Sequence, residues 1–350
     1  MIKILSFFFV CTLLGCSQNK ANSTRDLVIA NGQMPNLVKD IDRNIQLVYG
    51  CGDSLMSIVS YDEGSSFAPP SLIDILPHLA ASHTRGPQIA ATSHGLVLTV
   101  CNSMGDIFCY TKSPSLPWVK SGKVNDQDTI DKENLIALGA DGELAFSAWL
   151  DVRNNGKNKI YGALSVDGGK TWSKNRMIYN SPDSSVCSCC KPSVVVHGKN
   201  VYVMFRNWLK GNRDMYLTQS KDGGDHFEPA KKLGVGSWKL NACPMDGGSL
   251  ALKTNGEIHT VWRREGRVFS AIAGMPEKEI GEGKGCAIEM VNGQNVYAWT
   301  ENGELKIIKP GGEKITVGRG MQPVIKAIGK EKLICVWEQE KQVHAAVISL

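Results

Sequence analysis

Cys187, Cys189 and Cys190 stand within four positions of one another, and Cys243 and Met245 form a second short run of sulfur. Soft thiolate and thioether ligands favour copper(I), or zinc where the set is mostly thiolate. Met34, His83, Cys286 and Met321 are further candidates for such a set. The spacing Cys-x-Cys-Cys fits no standard zinc knuckle, and a disulfide joining Cys243 to one of the earlier three is the competing reading. Five arginines, Arg85, Arg153, Arg206, Arg213 and Arg263, carry a different chemistry. Their planar guanidinium groups suit bidentate capture of a carboxylate or sulfate. Alternatively they pair with Asp151, Asp214, Asp246 or Glu265 and staple loops together. Asp246 and Glu265 are also the candidate catalytic pair of carboxylates.

These residues are scattered along the chain, so only a fold that returns to one axis can gather them. A seven-fold internal repeat supplies such a fold. Units begin near Pro35, Pro87, Asn134, Pro192, Ser249, Cys286 and Pro323, a spacing that matches propeller blades. Their second strands end at Tyr49, Cys101, Trp149, Phe205, Trp262, Trp299 and Trp337, an aromatic column suited to packing between blades. The seventh unit stops after three strands. The segment 26–31 has the alternation of a strand and can complete the last blade, closing the ring and removing its open edges.

Three third-strand turns read Ser-x-Asp-x-Gly-x-x-aromatic: Ser60 to Phe67 around Asp62, Ser165 to Trp172 around Asp167, and Ser220 to Phe227 around Asp222. The carboxylate accepts from its own turn, glycine takes positive φ, and the aromatic folds back as a plug. Blade two keeps a worn copy at 113–118. This motif is the Asp-box, and with its repeat it resembles the sialidase-like (BNR repeat) β-propellers. The resemblance implies an all-β fold: a single β-propeller of four-stranded blades spanning 26–350. Seven blades are expected, with six, the usual sialidase number, as the alternative.

The resemblance also implies a site over the central channel, on the face of the inter-blade links. Sialidases hold a carboxylate with three arginines there, so an anionic glycan or related small ligand is the expected partner, and exo-sialidase activity the expected enzyme class if there is one. The chain departs from that pattern. No Arg-Ile-Pro precedes the first repeat, and no tyrosine falls in the loops of the candidate face to act as nucleophile. Two alternatives therefore stand beside it: a Cys/Met-based copper- or zinc-binding periplasmic protein, and a non-catalytic module that binds a protein or glycan, with Trp208 and Trp238 as stacking platforms.

Residues 1–15 have a lysine, an apolar run too short to span as a mature helix, and a small residue before cysteine, as a secretory signal does. Leu13-Leu-Gly-Cys16 resembles a bacterial lipobox. That implies cleavage before Cys16, lipidation of Cys16, and a tether over 16–25, so the protein is expected to be exported, anchored to a bacterial membrane by lipid alone, and monomeric. The net charge of +5 on 350 residues argues against nucleic acid as a partner, as does the lack of a basic run. An oxidising compartment leaves nine cysteines once Cys11 is cleaved away and Cys16 is lipidated. That odd count requires at least one thiol to be free, ligated or intermolecular.

Overall fold

A computed structural model of the chain describes residues 26–350. The expected signal segment 1–15, the lipidation site Cys16 and the tether 16–25 lie outside the described residues. Seven four-stranded antiparallel sheets follow one another around a ring. In the first six blades the strand order is sequential, as expected for hairpins joined by tight turns. In the last blade Leu27–Asn31 pairs with Gln342–Ser349, so the chain's amino-terminal strand supplies the outer strand that the seventh repeat lacks. Seven blades, rather than the six of the alternative, are thus formed and closed.

The second strand of each blade is its most buried element; in Ile45–Cys51 six of seven residues are buried, and Gly95–Cys101 is buried throughout. Such strands lie between two neighbouring sheets, which is why they read as continuous apolar runs rather than as an alternation. The six aromatics that end them are buried, Trp149, Trp299 and Trp337 completely. Each packs into the cluster shared with the preceding blade: Trp149 against Val97 and Cys109, Phe205 with Phe146, Trp337 with Val296 and Leu305. At blade two, where Cys101 replaces the aromatic, Tyr110 and Trp118 fill the seam with blade one instead.

The Asp-box turns lock the same seams from the other face. In each, the serine hydroxyl donates to the aspartate and accepts from the glycine N–H, with Gly169 N to Ser165 Oγ at 2.8 Å. The aspartate also accepts from the backbone four residues on, Thr171 N to Asp167 Oδ1 at 2.9 Å and its counterparts at Asp62 and Asp222. Gly169 has φ +92°, and a Cβ there would lie 2.4 Å from Val97 of the preceding blade. The plug residues Phe67, Trp172 and Phe227 join the clusters of blades seven, two and three respectively. The Asp-boxes are therefore structural, and they leave the opposite face free for a ligand.

Candidate functional site

The first strands line the channel, and their starting residues meet at its mouth on the face of the inter-blade links. There a cavity of about 250 Å³ is bounded by Asn36 of blade one, Gln88 of blade two, Lys191 before blade four, Asp246 before blade five, Cys286 of blade six and Gln322 of blade seven. Lys191 donates to Gln88 Oε1 at 2.8 Å, and Asn36 Nδ2 donates to the same oxygen at 3.2 Å. Gln88 in turn donates to the carbonyls of Gly86 and Pro87, so its orientation is fixed. Gly247 lets the blade-five link come close, because a Cβ there would stand 2.4 Å from the carbonyl oxygen of Lys191. Among the described residues Lys191 makes no ion pair and spends only one of its three donors. Burial without a counter-charge pushes its ammonium down to about 8. Asp246 is buried as well. Desolvation raises its carboxyl to about 6 even though Arg206 and Arg263 oppose the shift.

None of the five arginines expected to bind an anion lines this cavity. Arg206 is 1% exposed, and its guanidinium donates to the carbonyls of Asp246, Arg213 and Arg263 at 3.2, 2.8 and 2.9 Å. Arg153 is consumed by Asp151, Asp126 and Asn175. Arg85 donates to the carbonyl of Glu133 and faces its carboxylate at 3.7 Å. Arg213 donates to Leu240 O and to Cys187 Sγ, while Arg263 reaches Pro244 O and lies 4.0 Å from Asp246. Backbone carbonyls at strand ends need donors, and the arginines supply them; of the carboxylates expected as staple partners, Asp151 holds Arg153 and Asp246 stands 4.0 Å from Arg263. Trp238 is an anchor beneath Arg206 and Arg263, whereas Trp208 remains 38% exposed on the rim.

Cys187, Cys189 and Cys190 converge: Cys187 Sγ lies 3.6 Å from Cys189 Sγ and 3.5 Å from Cys190 Sγ. Cys243, which was expected to bridge to them, is exposed and stands outside the group, and no disulfide occurs among the described residues. Met245 is likewise outside it, 45% exposed at a positive-φ turn. The hydrogen bonds of Cys189 and Cys190, with Arg213 beside them, hold the Cys187 thiol well below its ordinary value, while burial raises Cys190.

Residues 132–273 match the model of the BNR repeat-like domain. Over that segment the chain is similar to BNR repeat-like domains. The fold is a seven-bladed β-propeller with three Asp-box turns. An alpha-L-arabinanase of Penicillium chrysogenum, complexed with arabinobiose, superimposes with a TM-score of 0.58 at 12% identity, over 93% of this chain and 97% of that one. A protein of unknown function from Dyadobacter fermentans gives 0.52 at 14% identity, over 94% and 100%. The intramolecular trans-sialidase of Ruminococcus gnavus, in complex with oseltamivir carboxylate, gives 0.47 at 9% identity, over 91% and 94%. No curated protein matches the sequence significantly.

Of the expected catalytic carboxylates, Asp246 lines the cavity and Glu265 does not. Glu265 sits exposed in the hairpin turn between Ile258–Arg264 and Arg267–Ile272, away from the cavity lining, so it does not face Asp246. The lining contains one carboxylate and no tyrosine. Lys191, Gln88 and Asn36 were not singled out from the sequence. The signal that could have found them is positional, because the residues that open each first strand all face the channel.

Proposed function

We propose that the channel mouth binds a small anionic, hydroxyl-rich ligand, the terminus of a glycan, without turning it over. The observation that carries this reading is Lys191: a half-buried lysine with two donors unspent and no ion pair among the described residues, opening into a cavity whose other polar side chains are amides and hydroxyls with the single carboxylate of Asp246. A ligand carboxylate or sulfate restores the missing partner, and desolvated charge pairs of this kind are strong where the alternative is an unpaired buried charge. Gln88, Asn36 and Gln322 suit sugar hydroxyls. The cavity is below the ~300 Å³ at which drug-sized pockets begin, which suits a single sugar ring. The arabinanase of similar fold was solved complexed with arabinobiose, so a sugar ligand is in keeping with this fold. Recognition replaces hydrolysis here because retaining glycosidases need a second carboxyl or a tyrosine nucleophile facing the first group.

In this reading Cys16 carries the lipid and 16–25 the tether, so a monomeric propeller presents its open face outside the bacterial membrane. Binding to an array of sialylated, uronate-bearing, sulfated and neutral glycans tests the assignment, alongside turnover of a fluorogenic sialoside. Saturable binding of anionic glycans, lost in Lys191→Met and unaccompanied by product release, is expected. Equal binding of neutral glycans, or release of product by the wild type, contradicts it.

A further inference from the structure

We propose that Cys187, Cys189 and Cys190 form a three-thiolate site for copper(I), set in the rim beside the channel mouth and separate from the Lys191 cavity. The ligand atoms of the three side chains all lie within 4.8 Å of one another. Sulfurs that share one metal at about 2.3 Å stand roughly 4 Å apart, so small rotations of these side chains close the set. The segment that presents them is fixed from two blades. Val186 N donates to Asn158 O at 2.8 Å, and Cys187 N donates to Arg206 O at 3.1 Å.

Charge points to the ion. Arg206 and Arg213 are 1% and 7% exposed, and neither forms an ion pair among the described residues. The donors of Arg206 end on carbonyls, and Arg213 places Nη1 3.0 Å from Cys187 Sγ. A buried guanidinium is costly unless a counter-charge stands beside it; Arg206 acts on the Asp246 carboxyl, whereas Arg213 has Cys187 Sγ as its neighbour. Three thiolates around a monovalent ion carry two net negative charges, which Arg213 offsets directly and Arg206 in part. The protons of the three thiols leave to solvent as the metal enters. Zinc would have to complete its tetrahedron with solvent, because no histidine or carboxylate joins the sulfur group among the described residues. Copper(I) accepts a set of soft sulfur ligands alone. A disulfide between Cys189 and Cys190 would leave Cys187 alone beside Arg213.

The test is an anaerobic titration of the reduced, full-length protein with copper(I) in competition with a chromophoric copper(I) chelator. X-ray absorption at the copper edge then counts the sulfurs. The expected result is one tightly held copper per chain with a shell of three sulfurs. Cys189→Ser, at the half-buried position, should lower affinity more than tenfold, and Arg213→Gln, beyond the first shell, by about tenfold. Cys243→Ser, at an exposed thiol outside the group, should leave it unchanged. Fewer than three sulfurs at the metal overturns the proposal, and that count on the wild type stands whether or not a variant folds. It is equally overturned by copper lost with Cys243→Ser, or by a disulfide among the three in protein isolated without reductant.

Discussion

At the scale of single residues, one lysine and one arginine separate binding from scaffolding. Lys191 sits in its cavity with an ammonium held down to about 8, against the 10.5 of an ordinary lysine, because desolvation disfavours the charged form and no counter-charge among the described residues offsets it. Two effects of opposite sign follow. Affinity for an anion depends on the charged form and falls as pH rises through about 8. The unfolded chain binds the proton more tightly than the folded one, so this group's contribution to stability rises between about 8 and 10.5. Calorimetric binding and denaturant unfolding over the same pH series should therefore move in opposite directions. Arg206 belongs to the other class. It satisfies three carbonyls, so Arg206→Ala is expected to destabilise by about 3–5 kcal/mol, the range for breaking a buried charged network; chemical denaturation measures it. A stability loss within experimental error would return Arg206 to the list of ligand-binding residues. The sequence displayed these side chains but not their partners. Arginines aimed at an anion and arginines aimed at strand-end carbonyls have the same spacing, because what differs is the carbonyl geometry of other blades.

At the scale of elements, the repeat was readable because its reasons are local. Ser-x-Asp-x-Gly-x-x-aromatic specifies its own turn through bonds within a few residues, and the second-strand aromatics mark the seams whatever the rest of the blade does. Gly169 carries both kinds of constraint, a φ of +92° and a close approach to Val97. Gly169→Ala is expected to cost about 2–4 kcal/mol through strain and overpacking, read as a lowered denaturant midpoint. Gly142→Ala, whose added Cβ meets nothing within 4 Å although its φ is also positive, should cost clearly less. Equal losses would mean that the seam contact is not what Gly169 protects. Cys101 shows where local reading ends. Nothing near it in sequence announces that Tyr110 and Trp118 fill the seam in place of an aromatic at its position.

At the scale of the whole molecule, closure of the ring is what makes a site. Asn36, Gln88 and Lys191 come from blades one, two and four, and only a circular arrangement puts their polar groups in one hydrogen-bonded row. The closing strand Leu27–Asn31 was legible from the missing fourth strand of the last repeat; the residues at the channel were not, since their convergence depends on every intervening blade. Deleting 26–31 should expose the edge of Gln342–Ser349, lower the thermal midpoint and produce soluble aggregates on size-exclusion chromatography. A monomer of unchanged midpoint would show that the ring does not depend on that strand. The central claim is that Lys191 makes the channel mouth an anion-binding site. Titration calorimetry of an acidic glycan and its neutral counterpart against wild type and Lys191→Met, at pH values on either side of 8, tests it most directly. The account predicts binding of the acidic glycan alone, weakening above pH 8 and lost in the variant. Affinity that ignores ligand charge, pH and the loss of Lys191 would contradict it.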